Sequence, residues 1–190
     1  MGNFARLVGT LAVIAAVASF GLSAVYNATH EITEAYRVQE QENARRQVLP
    51  GADNADFEMT ETETTLQGRP FVYYTAYETE ARNEVIGWTF TAYGSGYSST
   101  IETIVGVVPD GTISGIEIVF QQETPGLGAK VTEVASENTL WAVLSGSAVD
   151  ESDARPWFQV QFEGLSADEL TVVKSEGEEG ILAITGATIS

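Results

Sequence analysis

The sequence predicts an α+β fold, with a single N-terminal transmembrane helix followed by one domain that has a twisted, mainly antiparallel sheet and flanking helices. Three observations lead to this prediction. An uncharged apolar run lies near the start of the chain, short segments rich in β-branched and aromatic residues follow it, and these segments do not alternate regularly with helical ones. At 190 residues the chain has room for one anchor and one domain of ordinary size.

The apolar run covers residues 7–26, which carry no charge. At about 1.5 Å per residue a helix of this length spans about 30 Å, the thickness of bilayer hydrocarbon. A cleaved signal peptide is the alternative, but its apolar stretch is usually only about 7 to 15 residues long. Arg6 precedes the run and acidic residues follow it, so we expect residues 1–6 in the cytoplasm and the domain on the periplasmic or extracellular side of the cell membrane.

Residues 27–50 are polar, with apolar side chains at roughly helical intervals, and this pattern predicts a juxtamembrane helix that ends near Pro50 and Gly51. The domain is expected to extend over residues 51–190. Its first part, residues 51–67, is acidic and rich in threonine without a strong period. We expect a solvated connector there, with an edge strand as the alternative.

Four segments have the composition of antiparallel strands, namely residues 71–77, 85–93, 101–108 and 113–120. The last two are joined at Asp110-Gly111, a dipeptide suited to the positive φ angles of a tight hairpin turn.

Three further segments follow the hairpin. Residues 131–144 predict a helix, with Val134, Leu140, Trp141 and Leu144 on one face. The alternation in residues 157–162 predicts a strand, and residues 170–173 predict a short one.

Composition excludes several function classes. The chain has 27 acidic residues against nine basic ones, a net charge of −18, which opposes nucleic-acid binding because phosphate contacts need clustered Lys and Arg. The acidic excess suits either simple solvation or a docking surface for a basic partner. The absence of Cys excludes disulfides and cysteine-ligated clusters, and a single His, His30, leaves no pair for a metal site. Redox chemistry would therefore need an organic cofactor or a site borrowed from a partner.

The last six residues, Thr185-Gly186-Ala187-Thr188-Ile189-Ser190, are small and rich in hydroxyl groups. From physical chemistry alone they predict a turn after a strand, with Thr185 or Thr188 as a helix cap. Glu123-Thr124-Pro125-Gly126-Leu127-Gly128, taken alone, likewise predicts an ordinary turn.

Together, however, TGATIS, ETPGLG and the glycine-rich GSGYS at residues 94–98 occur in the order found in one family. They resemble the FMN-binding domain shared by the G subunit of the Rnf electron-transport complex and the C subunit of the sodium-translocating NADH:quinone reductase. The sequence is more similar to the first of these, the Rnf protein, since TIS follows TGA and the domain is compact.

The resemblance implies that the Thr188 hydroxyl is joined to the phosphate of FMN as a phosphoester, installed by a separate Mg²⁺-dependent flavin transferase that uses FAD. Such an attachment needs a hydroxyl acceptor, and Gly186 and Ala187 leave space for the transferase and the phosphate. Thr185 would support the phosphate through a hydrogen bond.

The resemblance also implies that the ETPGLG loop contacts the isoalloxazine ring. The residues concerned are Glu123, Thr124, Pro125, Gly126, Leu127 and Gly128. Pro125 would fix φ, the glycines would permit a sharp turn, and Glu123 would shape the loop. Tyr97 and Trp141 are candidate stacking partners, with a place in the apolar core as the alternative for each.

The predicted function is that of an electron-carrier subunit, partnered by the other membrane and redox subunits of a complex that couples electron flow to Na⁺ or H⁺ movement. Two other functions stay open. One is a non-redox, membrane-tethered binding module, favoured by Leu182, since the family usually has an acidic residue at this position. The other is a secreted FMN-dependent reductase with a mature N-terminus near Val25. Because relatives continue beyond the motif, we also expect residues after Ser190.

Overall fold

The computed structural model describes residues 2–66, 68–78, 82, 84–134, 155–174 and 180–184. The chain divides into two compact units, Met1–Glu40 and Gln41–Ser190. The TGATIS motif and Trp141 lie outside the described residues.

Helix α1 extends over Gly2–Gln47. Its residues up to Glu40 form the first unit, and its last seven residues belong to the second unit. The predicted segments 7–26 and 27–50 are thus one continuous helix that ends at Gln47. Its apolar part has a mean hydropathy of 2.1 and is long enough and apolar enough to cross a membrane. The hydroxyl of Thr10 donates to the Arg6 carbonyl at 2.9 Å. Because lipid hydrocarbon offers no hydrogen-bond partner, this bond satisfies the hydroxyl within the helix itself.

The second unit is built on a five-stranded antiparallel sheet in which neighbours in sequence are neighbours in space. The strands are β1 (Asp56–Leu66), β2 (Arg69–Tyr77), β3 (Val85–Ser95), β4 (Thr100–Val107) and β5 (Ile113–Phe120). The prediction of an antiparallel sheet is confirmed, and β2 to β5 correspond to the four predicted strands.

The expectation of a connector at residues 51–67 is wrong and the alternative, an edge strand, is confirmed, because residues 56–66 form strand β1 at the edge of the sheet. This strand pairs with β2 and has a register shift between Glu61 and Thr65. Its side chains are mostly exposed threonine and glutamate, so it lacks the apolar alternation that predicts a half-buried strand. The β-branched threonines favour extended backbone even so.

One face of the sheet is covered by the end of α1 and the loop after it. The buried cluster on this face contains Ala44, Val48, Leu49, Ala52, Ala55, Ala76 and Ile104. The Ser114 hydroxyl donates to the Val48 carbonyl at 2.5 Å, and a Cβ on Gly115 would lie 3.3 Å from the same oxygen. Residues 44–55 are therefore part of the core of this unit.

The hairpin turn predicted between β4 and β5 is confirmed. Gly111 has a φ of 91°, and its N–H donates to the Val108 carbonyl at 2.9 Å. Asp110 Oδ1 accepts from the backbone N–H and the hydroxyl of Thr112, at 2.9 and 2.7 Å. These two donors favour the ionised carboxylate and lower the pKa of Asp110 below its ordinary value.

The strand predicted at residues 157–162 is wrong, because Trp157–Val160 forms a short helix, α2, followed by turns. The spacing of the apolar residues fits the period of a helix as well as that of a strand. Phe158 and Phe162 are four residues apart and meet edge to face, with ring centroids 5.5 Å apart. Pro156 starts the helix, and its carbonyl accepts from the Gln159 N–H at 3.0 Å.

Of the helix predicted at residues 131–144, residues 135–144 lie outside the described residues, and the helix does not begin at Val131. This residue lies in the 3-10 helix Gly128–Thr132, and Glu133 is extended, with φ −77° and ψ 127°. The short strand predicted at residues 170–173 is confirmed as β6 (Val172–Val173). It pairs in parallel with β7 (Ile181–Leu182), a pairing that the sequence did not predict.

Candidate functional site

The glycine-rich loop between β3 and β4 curls its backbone around the carboxylate of Glu123. Tyr97 N–H donates to Glu123 Oε2 at 3.2 Å, and the N–H groups of Ser98 and Ser99 donate to Oε1 at 3.0 and 3.2 Å. Successive backbone N–H groups that converge in this way form an anion-binding nest. The nest is filled by a side chain of the protein itself.

Glu123 is only 6% exposed, and two glycines make room for it. A Cβ on Gly96 would overlap the carboxylate, and a Cβ on Gly128 would lie 2.8 Å from the Glu123 Cβ. These distances are shorter than ordinary van der Waals contact. The structure thus joins two of the segments singled out in the sequence, GSGYS and ETPGLG, through one buried carboxylate.

The residues after Glu123 form an exposed turn. Leu127 N–H donates to the Thr124 carbonyl at 3.1 Å, with Pro125 and Gly126 at the central positions. Gly126 has a φ of 75°, as position i+2 of a type II turn requires. The exposed turn residues are Thr124, Pro125, Gly126 and Leu127. The prediction of a sharp loop is confirmed, whereas its contact with a flavin ring stays a prediction.

Tyr97, at the tip of the glycine-rich loop, is 75% exposed. The alternative interpretation, that this aromatic ring belongs to the core, is therefore wrong. A large exposed aromatic side chain beside a buried carboxylate suits contact with a ligand or a partner.

The face of the sheet opposite the α1 cluster lines an apolar cavity of about 810 Å³. Residues from the sheet, the 3-10 helix, α2 and β7 contribute to it, among them Phe90, Val105, Ile116, Val131, Phe158 and Ile181. Ligand cavities usually measure about 300 to 1,000 Å³ and are mostly apolar. Ala183 and Ile184, which precede the TGATIS motif, also line the cavity.

The backbone that leads to the motif is held from two sides. Ile181 N–H donates to the Thr171 carbonyl and Ala183 N–H to the Val173 carbonyl, both at 2.8 Å. Between them, Leu182 N–H donates to Gln161 Oε1 at 2.7 Å. Sequence reasoning missed Gln161, because two glutamines, Gln159 and Gln161, lie between Phe158 and Phe162 and neither belongs to a motif. Thr185, Gly186, Ala187 and Thr188 lie outside the described residues.

Comparison with known proteins identifies the family. The FMN-binding domain family matches residues 96–190. The G subunit of the Na⁺-translocating ferredoxin:NAD⁺ oxidoreductase complex of Acetobacterium woodii is 34% identical, over 95% of this chain and 81% of that protein. The chain belongs to the family of G subunits of ion-translocating oxidoreductase complexes, the Rnf type. The sequence motifs resemble both the G subunit of the Rnf complex and the C subunit of the sodium-translocating NADH:quinone reductase. The prediction that the chain is more similar to the G subunit is confirmed.

Two further G subunits are similar to this chain over most of its length. The G subunit of the ion-translocating oxidoreductase complex of Methanosarcina acetivorans is 30% identical, over 97% of this chain and 85% of that protein. The G subunit of the proton-translocating ferredoxin:NAD⁺ oxidoreductase complex of Clostridium ljungdahlii is 31% identical, over 89% and 74%. Because the names of these relatives include both Na⁺ and the proton, membership of the family does not specify the coupling ion.

Proposed function

We propose that this Rnf-type protein carries electrons within an ion-translocating oxidoreductase complex through one FMN esterified to the Thr188 hydroxyl. The observation that carries the proposal is the buried Glu123 carboxylate, which joins the glycine-rich loop to the ETPGLG loop at the start of the FMN-binding domain. Bound FMN would supply the redox chemistry, and the residues of the chain would hold and shield it.

The attachment segment suits this role. The Thr188 hydroxyl oxygen would bond to the FMN-side phosphorus of FAD, the pyrophosphate bond would break, and AMP would leave with the hydroxyl proton passing to solvent. Thr185 would donate a hydrogen bond to the phosphate. Gly186 and Ala187 carry no bulky side chain, which lets a flavin transferase reach the threonine.

The described residues fit a flat aromatic cofactor. The 810 Å³ cavity is lined mostly by apolar side chains, as an isoalloxazine ring requires, and Ile184, the residue before Thr185, lies on its wall. Exposed Tyr97 and Leu127 would cover further ring surface from the two loops that Glu123 joins.

In this role α1 is a single transmembrane anchor, with the N-terminus in the cytoplasm and the domain on the outer side. The position of the basic residues supports this orientation, because Arg6 directly precedes the apolar run whereas the first Lys or Arg after it is Arg37. The partners are the other membrane and redox subunits of the complex and, during maturation, the flavin transferase.

The test is to express the full chain with the flavin transferase and to look for flavin fluorescence on a denaturing gel. Wild type and the control Thr64→Ala, an exposed strand residue, should keep fluorescence. Thr185→Ala should weaken it. Thr188→Ala should abolish it, and the intact mass should lack the FMN group (FMN less the water lost in the ester) in addition to the change from Thr to Ala. Flavin that persists on Thr188→Ala would refute the attachment site.

A second candidate function, a non-redox tethered module, is favoured by one observation. Leu182 occupies the place where the family usually has an acidic residue, and in the structure its side chain is half-buried. This candidate predicts that wild-type protein from the same expression carries no flavin at all.

A further inference from the structure

Three apolar side chains are exposed at the end of the sheet that carries the glycine-rich loop. Tyr97, Phe120 and Leu127 are 75%, 39% and 45% exposed. A hydrogen bond joins the end of β5 to the loop, because Gln122 N–H donates to Ser99 Oγ at 2.8 Å. We call the three apolar side chains the loop-end patch, since the segments that carry them lie together at one end of the domain.

The backbone that carries Tyr97 is held in one conformation. Three of its N–H groups donate to the buried Glu123 carboxylate, and Gly96 N–H donates to the Ser99 carbonyl at 2.9 Å. A side chain on a preorganised backbone loses less conformational entropy when a partner binds. Aromatic residues dominate the binding energy of many protein interfaces. Tyr97 therefore has the properties of an interface anchor.

The loop-end patch carries almost no charge, although the chain has 27 acidic and nine basic residues. Residues 94–99 and 120–128 include one charged residue, Glu123, and its carboxylate is buried. The first charged residues after these two segments, Glu102 and Lys130, are half-buried. Depletion of charge beside aromatic side chains is typical of the core of a protein interface. A partner's Lys or Arg would lose hydration on this patch without gaining a counter-charge.

The same composition distinguishes a protein partner from a lipid surface. Anionic lipid headgroups attract clusters of Lys and Arg, and residues 94–99 and 120–128 contain neither. The net charge of −18 also opposes approach to an anionic surface. An uncharged, apolar protein surface is the partner that fits.

Resting on the proposed electron-carrier function with FMN, we propose that the loop-end patch is a docking surface for another redox subunit of the complex. That subunit meets the patch with an uncharged, apolar surface of its own. Because Tyr97 and Leu127 border the flavin ring in the proposed function, a subunit docked on the patch lies next to the ring.

Photo-crosslinking tests the docking. Because the chain has no Cys, Ser98→Cys places a unique thiol beside Tyr97, and Thr64→Cys on β1 is the control. Full-length protein, loaded with FMN by the transferase, would be labelled with benzophenone maleimide. It would then be illuminated in detergent with the remaining subunits of the complex, purified from cells that lack this one. Mass spectrometry identifies the subunit that is joined.

Two further changes, each added to Ser98→Cys, test which side chain carries the contact. We expect Ser98→Cys to crosslink to a redox subunit and Thr64→Cys not to. Tyr97→Ser should lower the yield about tenfold, as loss of an interface hot spot does, without lowering the melting temperature. Met59→Ser, at another exposed apolar position, should leave the yield unchanged. The yield should persist at about 1 M salt, where the Debye length is about 3 Å, because the patch is uncharged.

Three results would overturn the proposal, namely crosslinks to lipid or detergent alone, a yield lost at high salt, and a yield that Tyr97→Ser does not lower. Wild-type protein without flavin would refute the proposed attachment and not the docking. A crosslink to a redox subunit that depends on Tyr97 in such flavin-free protein would still support the docking surface.

Discussion

Glu123 and Gly96 approach so closely that a Cβ atom on residue 96 would overlap the Glu123 carboxylate. The same carboxylate receives the N–H groups of the three residues after Gly96. The contact explains why the glycine-rich loop needs glycine at this position. The loop binds the chain's own anion, so its backbone donors are not available to a phosphate.

Gly96→Ala should therefore destabilise the domain. The added methyl group must displace a buried carboxylate or the loop around it, and overpacking of this kind costs about 1 to 3 kcal/mol. Gly94→Ala is the matched control, since a Cβ there would meet only the Ile101 Cβ at 4.0 Å. Urea unfolding of both variants measures the difference, and equal stability would contradict the close contact.

Glu123→Gln should also destabilise the domain, by about 2 kcal/mol, because hydrogen bonds to a charged acceptor contribute more than neutral ones. One amide oxygen cannot replace two carboxylate oxygens, and the amide nitrogen would face backbone donors. Glu133→Gln, at an exposed position ten residues on, should stay within about 0.5 kcal/mol of wild type. Unfolding free energies that do not separate the two variants would count against the role of Glu123.

The sequence predicted best where one signal dominated. The hairpin of β4 and β5 followed from two apolar runs around Asp110-Gly111, and the sharp turn at Pro125-Gly126 followed from the φ preferences of those residues. An edge strand was only the alternative for residues 51–67, because the exposed threonines and glutamates of β1 have no apolar period. Residues 157–162 were misread because Phe158 and Phe162 fit a helix as well as a strand.

The site required long-range information. GSGYS and ETPGLG were singled out as separate motifs, but their joining by Glu123 depends on contacts more than twenty residues apart in the chain. Gln161 belongs to no motif, and its hydrogen bond with Leu182 N–H spans 21 positions of the chain. Such contacts depend on how distant segments pack in the folded domain and not on local pattern.

Leu49 links the end of α1 to the sheet, and its removal should be costly. It is 1% exposed in the cluster with Val48 and Ile104. Leu49→Ala should lower the free energy of unfolding by about 2 to 5 kcal/mol, as buried Leu→Ala changes do. Leu66→Ala, at a 43% exposed position, should cost far less. The FMN-binding match begins only at residue 96, so this test asks whether the core of the domain extends beyond the matched residues. If both variants unfold alike, residues 44–55 do not belong to that core.

Asp110 should contribute to acid sensitivity. Its pKa lies below the ordinary value because the N–H and hydroxyl of Thr112 donate to the carboxylate. The stabilisation is therefore present above the unfolded-state pKa of about 3.9 and is lost as the pH falls through the lower folded-state pKa. Asp110→Asn should flatten the fall in melting temperature between about pH 5 and pH 2. Asp53→Asn, at an exposed turn residue, is the control, and an identical pH profile for Asp110→Asn and wild type would contradict the prediction.

The orientation of the anchor can be tested because the chain contains no Cys, so any introduced thiol is unique. Gly2→Cys places it before the apolar run and Asn54→Cys places it in the exposed loop before β1. The proposed orientation, with the N-terminus in the cytoplasm, predicts that a membrane-impermeant maleimide on intact cells, with any outer envelope permeabilised, labels Asn54→Cys. Gly2→Cys should react only after the inner membrane is opened. The reverse pattern would put the FMN-binding domain in the cytoplasm, and labelling of both thiols without opening that membrane would rule out a retained single-pass anchor.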